Sequence, residues 1–178
     1  MTGSNIVFAG FGGQGVLFMG KVVAYAGMIQ GKEVSWLPSY GPEMRGGTAN
    51  CSVCISDEPV GAPLVTEPDT LVALNAPSYD KFIDKVMPGG VVVIDSSLID
   101  RQCARSDVKL AAVQATRLSN EEHLEGIANM ILLGRMLKEV SIISMDSVEK
   151  AVKKCVPASK SHLLEHNIRA IKLGMSQI

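Results

Sequence analysis

A chain of 178 residues is long enough to bury a substantial core in one domain, and its 47% hydrophobic and 20% charged residues exclude intrinsic disorder. A formal net charge of -1 excludes a general attraction to nucleic acid or to anionic membrane surfaces. No apolar run reaches the roughly 18 residues of a membrane helix, and the run after the uncharged start MTGSN is too short for a secretory leader. The cytoplasm is therefore the expected compartment, with Cys51, Cys54, Cys103 and Cys155 as free thiols.

In chain order, residues 6–9 form a short buried strand that runs into GFGGQG, residues 10–15, and residues 16–30 form a helix closed by Gly31. Residues 32–37 read as a second strand, which Pro38 helps to end. SYGPEMRGG, residues 39–47, is a loop, because Pro42 and three glycines oppose regular structure. A strand at 48–55 leads into a turn-rich passage with Pro59, Pro63 and Pro68. Residues 70–74 are a strand, 79–86 a helix, 88–90 a turn, 91–95 the clearest buried strand, and 108–113 a further strand. The last third is helical over 121–139, 145–155 and 161–174. Alternating strands and helices imply an α/β fold over residues 1–178: three layers, α/β/α, around a mostly parallel Rossmann-like sheet. The helix at 16–28 is apolar on almost every face. Either it is fully buried within this domain, or one face is committed to a partner.

Gly10, Gly12 and Gly15 match the G-x-G-x-x-G spacing of dinucleotide sites, at a strand-to-helix junction where helix amides hold phosphate. Such a site also needs an acid at the end of the second strand for the ribose hydroxyls. Here that strand ends Leu37-Pro38-Ser39-Tyr40, and Glu33 lies at its start, so the nicotinamide reading lacks its second contact. Gly15, Gly20 and Lys21 match a P-loop, but Val22 stands where Ser or Thr would hold magnesium, and four bulky apolar residues fill the cradle. Cys51 and Cys54 fall three apart in a strand and so point to opposite faces, which excludes a shared metal. His162 and His166 lack further zinc ligands at suitable spacing, and His123 sits in an acidic stretch. No Ser-His-Asp or Cys-His arrangement stands out. The loop at 39–47 opens at the same sheet edge as the glycine turn, with Arg45 as a fork of donors for phosphate or carboxylate and Tyr40 as a stacking or hydrogen-bonding group. Gly46 and Gly47 let backbone come close to a ligand or a neighbouring chain.

GFGGQG followed one helix and one strand later by SYGPEMRGG resembles the gamma-type subunit of the 2-oxoacid:acceptor oxidoreductases, the pyruvate and 2-oxoglutarate ferredoxin oxidoreductase family. The likeness extends through VVVIDSS at 91–97, GIANMILLGRML at 126–137 and the final helix pair. The resemblance implies a subunit without catalytic groups of its own, in an enzyme that decarboxylates a 2-oxoacid such as 2-oxoglutarate, makes an acyl-coenzyme A and passes electrons to ferredoxin. It implies alpha and beta partner subunits and a ferredoxin-like delta subunit, with thiamine diphosphate, magnesium and iron–sulfur clusters in those partners and no cofactor held by this chain alone. Coenzyme A becomes the nucleotide expected at Gly10, Gly12, Gly13, Gln14, Gly15, Lys21, Tyr40, Gly41, Glu43, Arg45 and Gly46. An NAD(P)-dependent dehydrogenase and a purely structural subunit, its glycine loops serving as interfaces, are the alternatives.

Overall fold

The computed structural model describes residues 3–39, 48–101 and 103–177. Its sheet begins with β1 (Gly3–Phe11), whose apolar run buries both faces: Ile6 and Phe8 point to one side, Val7 and Ala9 to the other. Helix α1 (Val16–Ile29) follows, then β2 (Glu33–Ser39), β3 (Thr48–Ser56) and β4 (Thr70–Ala73). After α2 (Ala76–Phe82) and a 3-10 turn at Ile83–Lys85 come β5 (Val91–Asp95) and β6 (Lys109–Val113). Helices α3 (Ala115–Glu121), α4 (Ala128–Glu139) and α5 (Met145–Cys155), a 3-10 turn at Ala158–Leu163, and α6 (Leu164–Ser176) complete the chain.

The strand order is β2-β3-β1-β4-β5-β6. β1, β4, β5 and β6 are mutually parallel; β3 runs against β1, and β2 runs against β3, so β3 alone opposes the common direction. The sheet is thus mostly parallel, as expected. Helices α1 and α4 cover one face, with α5 packed on α1 and α6 on α4, while α2 covers part of the other. α1 buries eight residues, from Val16 to Gly27, between the sheet and α5. Packing within the domain therefore accounts for its all-round apolar sequence, and Met28 and Ile29 at its end remain exposed. None of the helices is long and apolar enough to cross a membrane, among the described residues.

Three expected elements shift. Pro38 does not end the second strand but lies inside β2, opposite Cys51. β2 is an edge strand, which tolerates a residue without an N–H. The helix expected from 79 starts at Ala76, because the Asn75 side chain accepts the Ser78 amide at 2.9 Å and nucleates an earlier turn. The helix expected over 121–139 starts only at Ala128, after a break at His123 and Gly126, both with positive φ (53° and 80°), and the short helix α3, which was not expected, precedes that break. Ser119 closes that break, its hydroxyl donating to the Leu124 carbonyl.

Candidate functional site

β1 delivers Gly10 and Phe11 to the carboxyl edge of the sheet, and the chain turns there through residues 12–15 into α1. Gly13 and Gly15 have φ of 90° and 76°, conformations that side chains with a Cβ resist. Gly10 is a glycine for a different reason. A Cβ there would lie 2.8 Å from Val16 and 2.9 Å from the Gln14 carboxamide, so the side chain is absent to let strand and helix meet. Gly12 and Gly13 are exposed, and a Cβ on Gly13 would meet nothing within 4 Å.

The turn is held from inside. Gln14 Oε1 accepts the Phe11 amide at 2.7 Å and the Asn75 Nδ2 at 2.9 Å, so this oxygen is engaged with protein donors. On the other flank Asn129 Nδ2 donates to the Gly15 carbonyl at 3.3 Å. α1 itself starts without a side-chain cap and without an acid in its first turn. Its leading amides thus offer partial positive charge to an anion at the turn.

Beside the turn lies a cleft of about 230 Å³, lined by Gly13, Gln14, Asp95, Thr116, Asn120 and Asn129 among others. Asp95, at the end of β5, is 2% exposed; its carboxylate accepts the Thr116 amide at 3.1 Å, the Thr116 hydroxyl at 2.6 Å and the Ser97 amide at 3.0 Å. Those donors fix the mouth of the cleft at the carboxyl edge, where open α/β sheets take ligands. Sequence reasoning assigned no role to Asp95, Thr116, Asn75 or Asn129. The first and last fall within the segments 91–97 and 126–137, but only folding brings them to the turn.

Lys21 does not line this cleft. It faces the groove on the far side of Gly15, its ammonium 5.9 Å from the centre of the Tyr25 ring. Tyr40, Gly41, Glu43, Arg45 and Gly46 lie outside the described residues. The residues that flank them, Ser39 and Thr48, are placed by register: Ser39 pairs with Asn50, and Thr48 pairs with Phe11 at the start of the glycine turn. Both ends of the segment therefore stand at the same sheet edge as the turn. Glu33 stands at the opposite edge, paired with Ser56. Cys51 faces the helix-covered side with Val53, and Cys54 faces the other side with Ser52. Burial pushes the Cys51 thiol up to about 12, against weaker opposing hydrogen bonds from Trp36 and Gly20. Among the described residues no cluster of His, Cys, Asp and Glu is arranged to hold a metal ion.

The model of one protein family, pyruvate ferredoxin/flavodoxin oxidoreductase, matches residues 5–177. Over 96% of its length the chain is 38% identical to the 2-oxoglutarate synthase subunit KorC of Methanocaldococcus jannaschii, of which it covers 91%. It is 39% identical to the ketoisovalerate oxidoreductase subunit VorA of Methanothermobacter thermautotrophicus, and there it spans only 35% of the relative's length. Among solved structures it is similar to the gamma subunit of keto/oxoacid ferredoxin oxidoreductase from Geobacter sulfurreducens, with a TM-score of 0.82, 32% identity, and coverage of 96% of this chain and 95% of that one.

Proposed function

Because this chain belongs to the pyruvate ferredoxin/flavodoxin oxidoreductase family, we propose that it is the gamma-type subunit of a cytoplasmic 2-oxoacid:acceptor oxidoreductase, helping to seat coenzyme A and to assemble the complex. The observation that carries the ligand reading is the uncapped N-terminus of α1 behind an open glycine turn, at the carboxyl edge of β1. An anionic pyrophosphate suits that position. A nicotinamide dinucleotide suits it less, since Glu33, the acid nearest in sequence to the end of β2 among the described residues, stands at the other edge.

In this reading the chain itself binds and orients. Backbone amides of the turn and of α1 hold one phosphate, Gln14 and Asn75 keep the turn in shape, and Arg45, from the segment that joins β2 to β3, pairs with a second phosphate oxygen. Thiamine diphosphate, magnesium and iron–sulfur clusters, held by alpha, beta and delta subunits, supply decarboxylation and the electron path to ferredoxin. The substrate class is a 2-oxoacid; 2-oxoglutarate is favoured because the KorC relative matches almost end to end.

Arg45→Ala in the assembled complex is expected to raise the Michaelis constant for coenzyme A about tenfold, since a charged hydrogen bond contributes roughly 1.5–3 kcal/mol. The constant for the 2-oxoacid stays unchanged. If the complex dissociates instead and the coenzyme A constant holds, Arg45 serves an interface and the structural-subunit reading replaces this one.

A further inference from the structure

The glycine turn is joined to α2 by a short line of hydrogen bonds whose two ends leave no choice of direction. At one end the Ser78 amide, in the first turn of α2, donates to Asn75 Oδ1 at 2.9 Å. At the other the Phe11 amide donates to Gln14 Oε1 at 2.7 Å. A backbone N–H can only donate, so each carboxamide must turn its oxygen towards one of these amides. Between them Asn75 Nδ2 donates to the same Gln14 oxygen at 2.9 Å. Flipping either carboxamide would set an NH2 group against a backbone N–H, so the arrangement is unique.

The consequence lies on the outer side of the turn. Two donors hold Gln14 Oε1 inwards, so Nε2, on the other arm of the planar carboxamide, points away from both. Nε2 donates to no group among the described residues, and Gln14 lines the cleft of about 230 Å³ beside the turn. That wall of the cleft therefore offers a donor and hides its acceptor. Asn75, which helps to decide this, is only 5% exposed and does not line the cleft.

We propose that Asn75 is a positioning residue for the ligand at the turn: it fixes which end of the Gln14 carboxamide faces the cleft, and so makes that wall select an acceptor oxygen. The assignment rests on the reading of the turn as a coenzyme A site, and it concerns a residue that touches no ligand. Phe11 alone would hold Gln14 by one bond. Asn75 adds a second and ties it to α2, whose Tyr79 and Phe82 pack on the sheet face with Val7 and Ala9. The donor is thus set before a ligand arrives, and the ligand need not order it on binding. A glutamine turned the other way would present its oxygen and repel an anion.

Asn75→Asp separates orientation from folding. Aspartate still accepts the Ser78 amide and caps α2, but it turns an oxygen instead of a donor towards Gln14 Oε1. Gln14 must then swing away, or flip and lose Phe11. In the assembled complex the Michaelis constant for coenzyme A is expected to rise about tenfold, as the loss of one hydrogen bond to a charged group implies, while the 2-oxoacid constant holds. Gln14→Ala raises the coenzyme A constant by a similar factor, and adding Asn75→Asp to it changes nothing further, because Asn75 acts only through Gln14. An Asn75→Asp effect that persists in full beside Gln14→Ala, or no effect where Gln14→Ala has one, overturns the positioning role. Gln14→Glu tests the same point with Asn75 intact: it keeps both inward bonds and turns an anionic oxygen to the cleft. Its constant must rise at least as far as that of Gln14→Ala, and a smaller rise overturns the assignment. If none of these variants moves the constant, Arg45→Ala decides what falls: a rise there overturns the Gln14 and Asn75 roles alone, and no rise overturns the coenzyme A reading with them.

Discussion

Gly13 and Gly15 share a left-handed backbone but differ in what surrounds them, and this difference makes the turn testable residue by residue. Adding a Cβ to either costs about 1–2 kcal/mol of conformational strain. At Gly15 the new atom also meets Asn129 Nδ2 at 2.4 Å, while at Gly13 it meets open space. Gly15→Ala is therefore expected to lower stability in urea by at least about 1 kcal/mol more than Gly13→Ala, the lower range of overpacking costs. The double variant with Asn129→Ala should recover most of that excess; equal losses at the two glycines would refute the Asn129 contact. Thiol chemistry gives a second test. Burial raises Cys51, Cys54 and Cys155 above the ordinary thiol range, and Cys103 is the half-buried one. Brief iodoacetamide treatment of the native protein near pH 8 should modify Cys103 first, as mass spectrometry of peptides would show; early labelling of Cys51 would contradict its burial.

Between elements, α4 and α6 meet backbone to backbone. A Cβ on Gly174 would stand 1.9 Å from the Ile131 carbonyl, and one on Gly134 would stand 2.0 Å from the Ile171 carbonyl. Glycine to alanine inside a helix ordinarily gains up to about 1 kcal/mol. Gly174→Ala is expected to lose about 3 kcal/mol or more, because neither backbone can yield without separating the helices. A neutral or stabilising result would mean that the helices are not in contact there. The far end of α4 is tied to the sheet by charge: Glu139 pairs with Lys109 of β6 at 2.5 Å and with Arg135 at 2.8 Å. The hydrogen bond from Lys109, with help from the Arg135 charge, holds the Glu139 carboxyl below its ordinary range despite burial. A carboxylate depressed on folding stabilises the native state above its unfolded value of about 4.3 and loses that contribution as pH falls further. Wild-type stability should accordingly fall more steeply from pH 5 towards pH 3, on the order of the carboxylate range, than that of Glu139→Gln. Parallel pH profiles would remove the pair from the account.

For the whole molecule, the relatives describe two ways of carrying one domain: almost the full length of KorC, or about a third of VorA, at 35%. The purified chain is expected to show no 2-oxoacid oxidation and no visible absorption, and to co-elute with its larger partners when they are expressed together. Turnover or brown colour in the isolated chain would end the gamma-subunit reading, and separate elution would count against stable assembly.

The sequence by itself determined the layering and the position of the glycine turn, because these rest on local causes. Apolar runs such as VVVID read as buried strands, GFGGQG demands a turn where Cβ atoms are excluded, and Cys51 and Cys54 alternate across a strand by geometry alone. The antiparallel β3, inserted between β1 and β2, was decided only in three dimensions, since pairing direction leaves little mark on composition. So were the ends of several elements. Pro38 is permitted in β2 by the unpaired edge, and Asn75 starts α2 early through a single side-chain bond. The site divides in the same way. Its glycines announced themselves through their spacing, but Asn75, Asp95, Thr116 and Asn129 come from four separate places in the chain, and Lys21 turns into a groove that no spacing rule separates from the cleft. Long-range contacts such as Asn75 to Gln14, at a separation of 61 residues, and Asn129 to Gly15, at 114, are set by how helices settle on the sheet. Packing energy is non-local, and only the folded chain adds it up.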